Sequence, residues 1–134
     1  MLAPGLDAFR LTLHVLAASI WVGGQFVMMG LVGPARGYGA EVPAALARAF
    51  ARLAWPANAV LVITGFWNLS TFHWADQTGA WKAVLIAKIV VVAGAGVGSL
   101  LHARATSRSA VALWGSVAGL TSVAALVMGV LLAG

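Results

Sequence analysis

Long apolar segments separated by short polar breaks dominate the pattern of this sequence. Four of them reach the length needed to span a bilayer, which is about 20 mostly apolar residues. They cover roughly residues 10–33, 52–70, 81–103 and 110–133. We therefore expect an all-α fold in which residues 1–134 form a single transmembrane domain, an antiparallel four-helix bundle.

Turn-forming residues mark the breaks between these spans. The breaks are Gly33-Pro34 with Gly37 and Gly39, then Asp76-Gln77-Thr78-Gly79, then Arg104 to Arg108. Residues 43–53 predict a helical lead-in to the second span, because Pro43 suits the first turn of a helix.

Composition supports a membrane protein whose first partner is the lipid bilayer. Only 8% of the 134 residues are charged, whereas a soluble domain has about 25%. The net charge of +5 does not indicate nucleic-acid binding, because the basic residues lie at the ends of apolar runs. The absence of cysteine excludes disulfides and thiolate metal sites.

The arginines predict the orientation in the membrane. The connections 34–53 and 104–109 share one side and carry five arginines and one acidic residue: Arg36, Arg48, Arg52, Arg104, Arg108 and Glu41. An excess of arginine marks the cytoplasmic side. Both termini and the loop 71–80 are therefore expected outside.

Ionisable residues within the spans are the candidates for a site, because a charge in lipid is costly and indicates function. His14 opens the first span and Lys88 lies in the outer half of the third, while His73 lies in the outer loop. His102 is 14 residues beyond Lys88, roughly 21 Å along a helix. We therefore expect a compact outer site built from His14, Lys88 and His73, without His102.

Helical spacing predicts three polar stripes that converge on a pocket inside the bundle. They are His14, Ala18, Trp21, Gln25 and Met28; then Asn58, Gly65 and Asn68; then Trp81, Lys88, Ala95 and His102. Two simpler interpretations stay open. His14 could form only a hydrogen bond to a neighbouring helix, and Lys88 could reach the outer interface with its long side chain.

The segment from His14 to Gln25 with Pro34, the pair Trp67-Asn68, and Trp81 followed by Ala87-Lys88 resemble the single-domain copper resistance D (CopD-like) membrane proteins. The chain is also distantly similar to HemJ-type protoporphyrinogen oxidases of bacteria. The resemblance implies a multi-pass protein of the bacterial inner membrane with a b-type haem near His14 and Lys88. It implies that Trp21, Gly23 and Gly24 pack around this site, with Gln25 closing the motif.

Three functions remain open at this stage. The first is a redox protein with haem b, in which His14 is an axial ligand and glycines 23 and 24 leave room for the macrocycle. The second axial ligand would be His73 or Lys88. Alternatively, Lys88 would pair with a haem propionate. The second is copper transport or resistance, with His14 and His73 as imidazole ligands. The third is a cofactor-free small subunit or assembly factor of a larger membrane complex.

The partners that these functions imply are a quinone or another redox carrier, a larger membrane complex, and a second copy of the chain. Hydrolytic catalysis is disfavoured because the acidic residues Asp7, Glu41 and Asp76 lie near the terminus or in loops, with no carboxylates paired.

Overall fold

The computed structural model describes residues 5–134 and is helical throughout that range apart from the connections. Four helices are long and apolar enough to cross a membrane: α1 (Gly5–Tyr38), α2 (Val42–Ser70), α3 (Gly79–Arg104) and α4 (Arg108–Ala133). The described residues contain no strand. The predicted all-α fold class with four spans is confirmed.

Helix α1 is continuous but not uniform. A π-helical segment, Ser19–Gly23, lies near its middle, and a 3-10 turn, Arg36–Tyr38, ends it. The break predicted at Gly33-Pro34 falls inside the helix, which continues through Pro34, because transmembrane helices tolerate proline. The chain turns instead at Gly39, whose φ of 137° favours glycine.

The predicted lead-in to the second span is confirmed. Helix α2 runs for 29 residues without interruption and carries Pro43 in its first turn. A proline there removes no intrahelical hydrogen bond, because the first amide groups of a helix lack intrahelical partners. The lead-in and the span are therefore one helix.

Helices α3 and α4 begin where the sequence placed the polar breaks. The side-chain oxygen of Thr78 accepts a hydrogen bond from the Trp81 amide at 3.1 Å, and that of Ser107 accepts one from the Ala110 amide at 3.2 Å. Each cap satisfies an amide of the first turn that has no intrahelical acceptor. Local chemistry thus fixes both helix starts.

The chain forms two compact units, one ending at Phe72 and the other beginning at His73. In the first unit, α1 and α2 form an antiparallel hairpin. Ala17 and Trp21 of α1 are buried, as are Ala54 and Ala57 of α2. The rings of Trp21 and Trp55 meet edge to face, with centroids 5.7 Å apart, an arrangement that favours aromatic pairs.

The second unit is the hairpin of α3 and α4. The predicted stripe of Trp81, Lys88, Ala95 and His102 lies on the α3 face that contacts α4. Trp81 Nε1 donates to the Leu132 carbonyl at 3.3 Å, and His102 Nδ1 donates to the Val111 carbonyl at 2.8 Å. Gly98 lies directly against the backbone of Ala118. The seven-residue repeat therefore serves helix packing.

Candidate functional site

His14 is hydrogen-bonded to α2 through a single threonine. Its Nδ1 lies 2.7 Å from Thr64 Oγ1, and Thr64 is 2% exposed. The same hydroxyl lies 2.6 Å from the Val60 carbonyl oxygen. A hydroxyl has one proton and a carbonyl oxygen only accepts, so Thr64 donates to its own helix. His14 Nδ1 then donates to Thr64, and in the neutral form of the ring this leaves the lone pair on Nε2.

The local sequence of α2 makes this contact possible. Threonine in an apolar helix satisfies its hydroxyl by bonding to a carbonyl one turn earlier, which leaves its oxygen able to accept from another helix. Gly65 follows, and a methyl group built there would lie 3.8 Å from His14 Cε1. The imidazole thus lies half-buried over a helix surface without a bulky neighbour at that position.

Arg10 lies one turn before His14 and is buried. Its side chain is 8% exposed, and its Nη2 lies 3.1 Å from the Asp7 carboxylate. Its Nη1 donates to Thr71 Oγ1 at 2.7 Å. Its Nε is buried and has no hydrogen-bond partner among residues 5–134. Residues four apart share a helix face, so Arg10 and His14 both lie on the side of α1 that contacts α2.

Sequence reasoning missed Arg10, Thr64 and Thr71. It selected the α2 face of Asn58, Gly65 and Asn68. The buried face of α2 is the adjacent one, which includes Ala57 and Thr64. Positions 57, 64 and 71 follow seven-residue steps and two of them are threonines, but positions 58 and 65 follow the same step, so spacing does not distinguish the two faces.

The other predicted site residues of α1 lie within the π-helical segment or directly after it. Trp21 is buried, and Gln25 Nε2 donates to the Trp21 carbonyl of the same helix at 3.1 Å. A side chain at Gly24 would overlap the Phe50 ring, whereas one at Gly23 would meet nothing within 4 Å. Phe50 therefore occupies the space beside Gly24. Of the two glycines predicted to leave room for a macrocycle, Gly23 has open space beside it and Gly24 does not.

Lys88 and His73 belong to the second hairpin. Lys88 is half-buried and lies over Gly129, where a methyl group would come 2.9 Å from its Nζ. His73 is exposed and precedes the short turn Trp74–Asp76. His102 is exposed at the end of α3. Within this hairpin, Lys88 and His102 take part in helix packing.

The described part of the chain, residues 5–134, has no cluster of three or more histidine, aspartate or glutamate side chains able to hold a metal ion. A shallow concavity of about 420 Å³ lies on α1, lined by Leu11, Thr12, Val15, Leu16 and Ser19. Another of about 340 Å³ is lined by Thr78, Ala80, Trp81, Val84, Leu131 and Leu132. His14 lines neither concavity. His14 is therefore a candidate site residue because imidazole is a metal ligand, and not because it lies in a pocket.

Comparisons with protein-family models, with curated proteins and with solved structures find no match to this chain. The candidate site is therefore defined by its own geometry. It consists of His14 with Thr64, next to the buried Arg10 and its hydrogen-bond partner Thr71.

Proposed function

We propose that this protein is a multi-pass protein of the bacterial inner membrane that binds a b-type haem through His14 and has a redox role. The hydrogen bond between His14 Nδ1 and Thr64 Oγ1 carries the proposal. A metal-ligating histidine almost always donates its other ring nitrogen to a fixed acceptor, which sets its tautomer and orientation. His14 has that arrangement inside an apolar helix.

The donor set fits haem. Neutral imidazole is a common axial ligand of haem iron, and the tautomer set by Thr64 places the lone pair on Nε2. When bound, a haem of this type supplies reversible one-electron transfer. Thr64 orients the ring and raises the basicity of Nε2 by accepting its Nδ1 proton.

His102 provides an internal comparison. It donates through the same nitrogen, to the Val111 carbonyl at 2.8 Å. However, it is exposed at the end of α3, beside Arg104, where water and cationic neighbours disfavour an apolar haem site. The tautomer is therefore common to both histidines, and burial within an apolar helix distinguishes His14.

No specific contact favours copper over haem, since copper would need further ligands beside His14. The copper and cofactor-free alternatives are outcomes of the following test.

The detergent-purified protein, produced with ample haem, is expected to show a Soret band that shifts on dithionite reduction, with sharp α and β bands. This spectrum is the signature of a b-type haem held by protein ligands. A featureless spectrum from folded protein would refute the haem proposal. Copper retained after dialysis would then support the second function, and absence of both would favour a cofactor-free subunit.

Replacement of Thr64 by valine is expected to weaken haem binding about 10- to 100-fold, because loss of a second partner of a ligating histidine has effects of this size. Valine keeps the shape of threonine and removes the hydroxyl, which is the acceptor for His14 and the donor to the Val60 carbonyl. Thr121→Val is the matched control, because Thr121 makes the same intrahelical bond, 2.6 Å to the Val117 carbonyl, in the other hairpin. Equal haem affinities of the two variants, measured by titration, would contradict the role assigned to Thr64.

A further inference from the structure

We propose that Arg10 anchors a carboxylate of the bound porphyrin, and this inference rests on the haem function proposed above. The ligand group is a propionate at the edge of the macrocycle. Arg10 and His14 would thus hold two chemically different parts of one ligand, the carboxylate and the iron.

The unpaired Nε of Arg10 is the first support. A buried charged donor without a partner is costly, and the described residues supply none for this atom. The two terminal nitrogens are held by Thr71 at 2.7 Å and by Asp7 at 3.1 Å. These contacts use one N–H group on each terminal nitrogen and hold the guanidinium in place, and Nε is the nitrogen left without a partner.

The donor at Arg10 Nε determines which chemical group could accept from it. A guanidinium nitrogen donates only, and its strongest partners are carboxylates and phosphates. Asp7 is the carboxylate that contacts Arg10, and it is 53% exposed and reaches only Nη2. Nε is therefore the atom that we assign to a second carboxylate, because neither existing contact uses it.

The position of Arg10 relative to His14 is the second support. Four residues of helix correspond to about 6 Å of rise, and both side chains lie on the face of α1 that contacts α2. Arg10 lies toward the beginning of α1, which is the end expected at the outer surface. A haem ligated by His14 would thus present its polar edge toward this end of the helix.

The test compares hemin with hemin dimethyl ester, in which both carboxylates are masked. Titration of the purified apoprotein in detergent gives a dissociation constant for each, and their ratio is compared between variants, which cancels partitioning into the micelle. We expect Arg10→Gln to lower the preference for hemin over its ester about tenfold relative to wild type, the effect of one charge-assisted hydrogen bond. Arg48→Gln, an exposed position on α2, should leave the ratio unchanged.

A second variant tests the same inference without altering a buried residue. Asp7→Asn removes a negative charge beside Arg10 and is expected to strengthen binding of hemin but not of its ester. Asp76→Asn, in the exposed connection before α3, is the control. An unchanged ratio in both Arg10→Gln and Asp7→Asn would overturn the role of Arg10 while leaving haem binding intact.

Failure of the underlying haem proposal gives a different result, because wild-type protein would then bind neither hemin nor its ester. Circular dichroism establishes whether Arg10→Gln is folded. If it is not, the sign of the Asp7→Asn effect decides, since weaker or unchanged hemin binding in that variant contradicts an anionic ligand at Arg10.

Discussion

Replacement of His14 by alanine is expected to reduce the haem Soret absorbance per mole of protein to below about one-tenth of the wild-type value, because an axial ligand is lost. The protein should remain helical and inserted, since the hairpin is packed through apolar residues such as Ala17, Trp21, Ala54 and Ala57. The measurement is the reduced-minus-oxidised difference spectrum, with circular dichroism as the test of folding.

His102→Ala is the matched control for this experiment. His102 is also a histidine on a transmembrane helix and also donates through Nδ1, in its case to Val111. It should retain the wild-type spectrum. Loss of haem from both variants, or from neither, would contradict the assignment of the axial ligand to His14.

Replacement of Gly98 by leucine is expected to lower the free energy of unfolding of the α3–α4 hairpin by about 1–3 kcal/mol, the usual cost of overpacking. A Cβ at Gly98 would lie 3.1 Å from the backbone nitrogen of Ala118 and 3.1 Å from a Val117 methyl group. Backbone atoms cannot rotate away as a side chain does, so the helices must separate. Titration of helicity with sodium dodecyl sulfate in mixed micelles measures the loss.

Gly96→Leu provides the comparison on the same helix, because a Cβ there meets nothing within 4 Å. Both substitutions replace glycine by leucine within α3, so the gain in helix propensity, about 1 kcal/mol, is common to them. The difference between the two variants therefore isolates the contact with Ala118. Equal stability of the two would show that this contact does not determine the packing of the hairpin.

The polar side chains of the candidate site are held by hydrogen bonds within one helix hairpin. Arg10 and His14 of α1 bond to Thr71 and Thr64 of α2, and each threonine also donates to a carbonyl of its own helix. This double use of a hydroxyl lets two polar side chains bind across an apolar interface, where unpaired polar groups are costly. The threonines thus connect the fold of the hairpin to its proposed ligand chemistry.

Features that depend on neighbouring positions in the chain could be predicted from the sequence. The four spans follow from the length of the apolar runs, and the starts of α3 and α4 follow from Thr78 and Ser107. The residues from Trp81 to His102 share one face of α3, as their spacing predicts, because a seven-residue repeat defines a helix face without reference to a partner. His14 was identified as a candidate because an ionisable residue stands out in an apolar run.

The tertiary structure alone decided which face of α2 meets α1. Adjacent residues on a helix differ in direction by about 100°, so the interface is centred on Thr64 and Gly65 lies beside it, next to His14. The choice depends on how side chains fit between the helices, including the Trp21–Trp55 contact and the packing of Phe50 beside Gly24. The burial of Arg10 follows from the same fit, since Thr71 supplies a partner for that side chain from outside α1.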